Sequence, residues 1–227
     1  SFEEGDLPLQ IHSSGMNAIF YKCTALESVV LPDRLTSIDT YAFNGCTSLK
    51  EITIPKGVTE IGNYAFSGCT QLQTVDYTPG SVATALSIGT DAFKGCAALK
   101  VIRLPKRLSS INYGSSYNLF EGCDAISEFD IEEGSKDFVA SEQGILYRKN
   151  KDGAVSDLLL CPRTITGTVI VPKTVSFIYS RAFMNCYGLE GVEFEKGAPN
   201  EVLPELVIED GRGSWESAIY SLVSGAF

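Results

Sequence analysis

The side chains that could do chemistry in this sequence are seven cysteines, one histidine and a scatter of carboxylates. Cysteines could bind zinc or form disulfides, but no two of them are closer than 23 residues, whereas zinc sites use Cys-x₂₋₄-Cys spacing. His12 is the only histidine, so a Cys–His or Ser–His pair would have to use it. No G-x-S-x-G, P-loop or H-E-x-x-H motif is present. The sequence therefore predicts no catalytic residue, no metal site and no cofactor.

Neighbouring carboxylates could bind calcium or hydrolyse a glycosidic bond. Glu132–Glu133 and Glu209–Asp210 lack the Asp-x-Asp-x-Asp-Gly spacing that surrounds a cation with oxygens, so solvated charge is the simpler interpretation. A glycosidase needs two carboxylates at a fixed separation across a cleft. A glycan or peptide hydrolase therefore stays open as a third hypothesis only.

The cysteines mark an internal repeat. Cys23, Cys46 and Cys69 are 23 residues apart, and Cys69, Cys96 and Cys123 are 27 residues apart. A phenylalanine stands three residues before each of these and before Cys186, in six copies of an Ala-Phe-x-Gly-Cys-like stretch: Phe20, Phe43, Phe66, Phe93, Phe120 and Phe183. Equivalent cysteines in stacked units point their Cβ atoms in parallel, which suits a disulfide poorly. We expect a ladder of small buried thiols, with Cys161 outside the register.

Each of these cysteines is followed by an alternating pair of apolar residues, which is the period of a strand buried on one face. The pairs are Val29/Leu31, Ile52/Ile54, Val75/Tyr77, Ile102/Leu104, Phe129/Ile131 and Val192/Phe194. Proline often ends the run, and a second apolar pair such as Val58/Ile61 comes after it. The Ala-Phe-x-Gly-Cys stretch predicts one helical or 3₁₀ turn that ends on a left-handed residue: Gly45, Gly68, Gly95, Gly122 and, less regularly, Asn185 and Lys22.

No unit can bury its own apolar face, so the units must stack. We expect one domain, 1–227, with clear repeats over 18–194, one parallel sheet and a buried column of the six phenylalanines. Extra residues in two units, Ser81–Ile88 and Asn112–Asn118, are assigned to the same place, between the second apolar pair and the phenylalanine. Residues 132–171 break the period and predict a β-hairpin, with strands in 144–149 and 157–162. Residues 195–227 form either a C-terminal cap or the start of a further repeat.

The pattern Ala-Phe-x-Gly-Cys-x-x-Leu-x-x-Ile-x-Ile-Pro-x-x-Val-x-x-Ile-Gly, clearest at residues 42–62, resembles the BspA-type leucine-rich-repeat proteins of bacterial surfaces. The resemblance covers 18–194 and departs from the pattern at Thr78 and Glu132, where the closing proline is missing. It implies an α/β, β-rich fold: a right-handed leucine-rich-repeat solenoid with a parallel sheet and short helical or 3₁₀ turns. It also implies a secreted or surface-anchored, extracellular protein that contacts host or neighbouring-cell macromolecules without enzymatic activity.

Composition limits the partners. The net charge of −10 disfavours nucleic acid and an anionic membrane surface. No apolar run approaches the ~18 residues of a membrane span, so no membrane insertion is expected. No signal-peptide pattern opens the sequence, and a mature secreted chain would begin in the same way. A macromolecular ligand, most simply an extracellular-matrix or cell-surface protein, is the expected partner.

The predicted binding surface is the solvent-facing side of the parallel sheet. Its candidate residues are Glu51, Thr53, Thr74, Asp76, Val101, Arg103, Glu128 and Asp130, with Tyr113 and Tyr117 of the longer loop as aromatic anchors. These could also be ordinary solvent-facing residues. An adhesion module is thus the first hypothesis, and a structural spacer that projects an attached domain from the cell is the second.

Overall fold

The computed structural model describes residues 9–11, 18–78, 85–111, 119–179, 182–196 and 207–208 of the 227-residue chain. These residues contain sixteen strands in four sheets and no helix. In chain order the strands are β1 (Leu9–Ile11), β2 (Leu35–Ile38), β3 (Glu51–Ile54), β4 (Glu60–Ile61), β5 (Thr74–Tyr77), β6 (Leu86–Ile88), β7 (Val101–Leu104), β8 (Leu108–Ile111), β9 (Glu128–Ile131), β10 (Phe138–Ala140), β11 (Leu146–Lys149), β12 (Val155–Leu160), β13 (Thr166–Val171), β14 (Phe177–Ile178), β15 (Gly188–Phe194) and β16 (Val207–Ile208).

The first apolar pair in four units forms a parallel sheet, here called the front sheet, in the order β3-β5-β7-β9. Ile52, Val75, Ile102 and Phe129 point inward and are at most 2% exposed, while the residues on either side of each are more exposed. This arrangement confirms the strands predicted from the alternation. The equivalent run of the first unit, 29–31, forms no strand.

A second parallel sheet, the back sheet, was not predicted. Its order is β1-β2-β4-β6-β8, and it is built from the second apolar pair of each unit. The pairs in β2 and β8 are spaced three residues apart, as in Leu35/Ile38, so they lack the period-2 pattern that identifies a strand. In β6, which occupies the equivalent position in its unit, the buried residues Leu86 and Ile88 are only two residues apart. The register between β6 and β8 accordingly shifts between Leu86 and Ser87.

The Ala-Phe-x-Gly-Cys stretches are hydrogen-bonded turns, and the predicted helical or 3₁₀ turns are not confirmed in the part of the chain that the structure describes. The amide of Cys46 donates back to the carbonyl of Phe43, at 3.1 Å. The amides of Phe43 and Gly45 instead donate to the carbonyls of Ala65 and Ser67 in the next unit, at 2.7 and 2.8 Å. Because alternate amides bond to the neighbouring unit, the turns themselves form a ladder.

Left-handed residues end these turns as predicted, with φ of 73–76° at the four glycines and 61° and 55° at Asn185 and Lys22. A second left-handed position, two residues before the phenylalanine, was missed; it is occupied by Tyr41, Tyr64 and Asp91. Gly62 is required for a different reason: a Cβ atom there would lie 2.5 Å from the amide nitrogen of Thr40 in the preceding unit.

The phenylalanine column holds for five of the six predicted members. The rings of Phe20, Phe43, Phe66, Phe93 and Phe120 stack in succession, with centroid separations of 4.9, 5.2, 5.4 and 6.0 Å. Phe129 then packs on Phe120 at a tilt of 59°. Phe183 does not continue the column, because it packs against a second hydrophobic cluster and is only partly buried.

The hairpin predicted in 144–162 is present as β11 and β12, which pair antiparallel. β10 adds a third antiparallel strand, and β12 pairs on its other edge with β14, giving a sheet of order β10-β11-β12-β14-β16. After the hairpin, β13 and β15 return to the repeat as a parallel pair.

The hairpin lies between two hydrophobic cores and contributes side chains to both. Leu146, Leu159 and Leu160 belong to the larger core, which otherwise comes from residues 31–138. Tyr147 and Leu158 belong to the smaller core, which otherwise comes from residues 145–192. The hairpin is therefore an internal layer of the stack rather than a peripheral loop.

The assignment of the two insertions to one place was wrong. Leu86–Ile88 is β6 of the back sheet, so the extra residues of that unit lie before the second apolar pair. The other insertion, 112–118, follows β8. It lies outside the described residues, as do 81–84 of the first insertion and most of 195–227. The right-handed winding and the single domain over 1–227 stay predictions.

Candidate functional site

The outward side of the front sheet carries the eight predicted sheet residues in two rows. Glu51, Thr74, Val101 and Glu128 pair in register across the four strands and form the first row. Thr53, Asp76, Arg103 and Asp130 occupy the equivalent outward position two residues later and form the second row. All eight are exposed or half-exposed. The structure therefore brings all of them together on one surface, here called the front face.

Arg103 is the centre of an ion-pair network on the front face. Its Nη1 lies 2.5 Å from Oδ1 of Asp76, and its Nε lies 3.4 Å from Oδ2 of Asp130. The hydrogen bond to Asp76 and the charge of that carboxylate raise the pKa of Arg103. Because both flanking units hold this guanidinium, Arg103 is not a free cation that could anchor an acidic ligand.

A flanking ion pair stands beside β3. Lys50 Nζ lies 2.8 Å from Oε2 of Glu27, and the hydrogen bond to this ammonium lowers the pKa of Glu27. Both side chains are more than half exposed. Exposed pairs of this kind contribute little to stability, so this pair is an ordinary surface contact between the first and second units.

The front face continues beyond β9 towards β13. Gly144 lies beside Ser127, the residue that precedes β9, and a Cβ atom on Gly144 would be in van der Waals contact with the carbonyl oxygen of Ser127, at 3.5 Å. On the other side, Nε2 of Gln143 donates to the carbonyl of Thr168 at 3.3 Å. Residues 143–144 thus contact the residue before β9 on one side and β13 on the other. Ile170 of β13, 59% exposed, takes the outward position that Thr53 has in β3.

Sequence reasoning missed Ile170 as a surface residue, although the signal was present. Val169-Ile170-Val171-Pro172 repeats the pattern of Ile52-Thr53-Ile54-Pro55, which puts Ile170 outside and its two neighbours inside. An isoleucine at an outward position is easily read as a core residue from composition alone. Tyr113 and Tyr117, the predicted aromatic anchors, lie outside the described residues.

The thiols are structural. Cys46, Cys69, Cys96 and Cys123 are fully buried, and each Sγ donates to the carbonyl of the phenylalanine in the preceding unit at 3.0–3.2 Å. Burial raises the pKa of Cys46 to about 11 and that of Cys69 to about 12. Neutral, buried thiols are poor nucleophiles and poor metal ligands.

The cysteine ladder is irregular at both ends. All seven cysteines are free, and Cys23 is exposed although a buried thiol was expected there. Cys161 is fully buried in the smaller core, and burial raises its pKa. Within the described ranges, no group of three or more His, Cys, Asp or Glu side chains could hold a metal ion.

The same ranges contain no helix long and apolar enough to cross a membrane.

Two solved structures share this architecture. A leucine-rich cell-surface protein from Faecalibacterium prausnitzii is 28% identical, with a TM-score of 0.62 over 78% of this chain and 50% of that one. The pneumococcal vaccine antigen PcpA is 26% identical, with a TM-score of 0.60 over 72% of this chain and 38% of that one. This chain therefore spans half or less of the length of either protein. No curated protein sequence matches it significantly.

The family comparison agrees with the repeat seen in the structure. The BspA type leucine-rich-repeat region matches in six copies, over residues 15–141 and 163–200. The gap between the two matched ranges contains the hairpin strands β11 and β12, so the hairpin interrupts the repeat. The chain belongs to the BspA-type leucine-rich-repeat family.

Proposed function

We propose that this chain is an extracellular protein-binding module that adheres to host or neighbouring-cell proteins through its front face. The observation that carries the proposal is the front face itself, a parallel sheet with two solvent-facing rows built by successive units. Repeat proteins commonly bind macromolecules with such surfaces. Family membership and the cell-surface description of the F. prausnitzii protein support an extracellular location.

A non-enzymatic role is part of the proposal. The carboxylates of Asp76 and Asp130 are held by Arg103 on an open sheet, where water has free access. A hydrolase needs a sheltered site with carboxylates of perturbed pKa. The buried thiols described above are likewise removed from any substrate.

The test is binding of the purified chain to immobilised extracellular-matrix and bacterial cell-surface proteins, compared between two matched variants. Thr53→Arg places a large cation on the second row of the front face, in β3, and Ser110→Arg makes the same charge change at an exposed position of β8 in the back sheet. We expect Thr53→Arg to weaken binding by about tenfold or more, because a bulky charged side chain within the contact surface blocks close packing of the partner. Ser110→Arg should bind like the unmodified chain.

Other outcomes would redirect or reject the proposal. Equal binding by both variants would move the site to the segment 112–118 or to the hairpin. Absence of binding to every protein of the panel would favour the spacer hypothesis, in which the stacked core merely separates two other domains.

A further inference from the structure

Exposed aliphatic side chains flank the second row of the front face. In the described part of the chain, five large hydrophobic side chains are exposed: Ile19, Tyr21, Val30, Ile170 and Tyr187. Val30, 95% exposed, holds the position equivalent to Thr53 in the first unit, and Ile170 holds it in β13. The row therefore runs Val30, Thr53, Asp76, Arg103, Asp130 and, beyond residues 143–144, Ile170. Residues 29–31 form no strand, but Val30 and Ile170 leave one aliphatic side chain in water at each end of the row, where it is available to a partner.

The middle of the front face is acidic. Among the eight residues of its two rows, four carboxylates stand against the single guanidinium of Arg103, which gives a net charge of −3. Arg103 already occupies the space between Asp76 and Asp130. It therefore acts as an internal cation that competes with any cation brought by a partner.

The strands of the front sheet place Thr53, Asp76, Arg103 and Asp130 on successive strands about 4.8 Å apart. We extend this spacing by one unit to Val30 and by two units to Ile170. The whole row is then roughly 30 Å long, which an extended segment of about nine residues would cover.

We infer that the partner presents a cationic polypeptide segment with apolar residues at its ends, which lies along the second row between Val30 and Ile170. This inference rests on the proposed function and specifies the chemistry of the partner. Lysine or arginine side chains of the segment bind Asp76, Asp130 and the adjacent Glu128, and its apolar ends cover Val30 and Ile170. Complementary charge and a dehydrated apolar contact together set the orientation of the segment.

The probes are three fluorescent peptides of about nine residues, measured by anisotropy with the purified chain. The first has leucines at its ends and lysines at its centre, the second replaces each lysine by glutamate, and the third replaces the leucines by serine. We expect saturable binding of the first peptide only, weakened as NaCl is raised from about 50 to about 300 mM.

Variants of the chain then test the place and the sign of the interaction. Arg103→Gln removes the competing cation and should tighten binding of the lysine peptide by about threefold, since exposed charges interact weakly. Asp76→Asn together with Asp130→Asn should weaken it by about tenfold. Ile170→Ser should weaken binding of the first peptide, because it removes the aliphatic contact for one of its leucine ends. Ser110→Arg is the control for charge outside the front face.

Failure of this inference differs from failure of the proposed function. Equal binding of the lysine and glutamate peptides, absence of binding by the lysine peptide, or weaker binding after Arg103→Gln would overturn the inference. The proposed function would still stand if Thr53→Arg abolished binding to a protein of the panel. If no panel protein binds, the proposed function fails irrespective of the peptides.

Discussion

At the scale of single residues, the cysteine of each unit has a role beyond filling space. The turn exposes the carbonyl of a buried phenylalanine towards the next unit, and the thiol of that unit donates to it. That carbonyl also accepts from the cysteine amide of its own unit, as Phe43 does from Cys46 at 3.1 Å, so the thiol is its second donor, and one such hydrogen bond contributes about 0.5–1.5 kcal/mol. Cysteine supplies this second donor with a small, weakly polar side chain, whereas alanine has no donor.

This role predicts a pH-dependent stability. Burial raises the pKa of Cys69 from 9.0 to about 12, so the unfolded chain loses this proton first, and the stabilisation is lost as the pH rises from 9 towards 12. Between pH 8 and pH 10 the thiol should lower the free energy of unfolding by roughly 1 kcal/mol. Cys69→Ser keeps a donor but not this titration, so its stability should fall less steeply over the same range in urea unfolding.

Cys69→Ala serves as the control for the hydrogen bond. It should lose about 1 kcal/mol at neutral pH through the missing donor and also show the shallower alkaline decline. If the unmodified chain and both variants lost stability in parallel between pH 8 and pH 10, the buried thiol would have no part in the alkaline response.

At the scale of the elements, the end of each front strand depends on whether proline follows it. Pro55 and Pro105 have no amide hydrogen, so they add no bond to the ladder. Thr78 and Glu132 stand at the equivalent position in the following units, and their amides donate to the carbonyls of Ile54 and Leu104, both at 2.9 Å. Departures from the proline pattern therefore extend the ladder by one hydrogen bond.

Glu132→Pro restores the family pattern and yet should destabilise the chain. The change removes the amide bond to Leu104 and the acceptor for the Lys106 amide, which lies 3.1 Å from Oε2 of Glu132. We expect a loss of about 1–2 kcal/mol in urea unfolding. Glu132→Gln keeps the backbone amide and an acceptor, so its change should stay within about 0.5 kcal/mol. A more stable Glu132→Pro variant would show that the extended ladder contributes nothing.

The strands of the front sheet were predictable because their apolar residues alternate at the strand period, and the hairpin was predictable because apolar runs flank the Lys151-Asp152-Gly153 turn. The back sheet was not, since the Leu35/Ile38 pair has a spacing of three and its strands are stabilised only by the units on either side. Because the back-sheet strand Leu86–Ile88 was not predicted, the insertion that precedes it was assigned to the wrong place. The alternation predicted which residues of the candidate site point outward. It could not predict the ion pairs of Arg103, because these join side chains of different units.

At the scale of the whole molecule, the continuity of the front face from β9 to β13 depends on the hairpin. β9 and β13 belong to different sheets, and residues 143–144 bridge them through Ser127 and Thr168. These bridging residues lead directly into β11, whose side chains are shared between the two cores. The position of Ile170 relative to Asp130 therefore depends on the packing of the hairpin.

A substitution inside the hairpin should accordingly loosen both halves of the chain. Leu159 is 1% exposed in the larger core, next to Leu158 of the smaller one, and Leu159→Ala should cost about 2–5 kcal/mol. Amide hydrogen exchange should then accelerate in β7 and β9 and also in β13 and β15. Phe66→Ala, placed in the column far from the hairpin, should mainly accelerate exchange in β2 to β8, because units of a solenoid couple most strongly to their neighbours. If Leu159→Ala left β13 and β15 as protected as before, the two cores would open independently, and a ligand spanning Asp130 and Ile170 would have to hold them together itself.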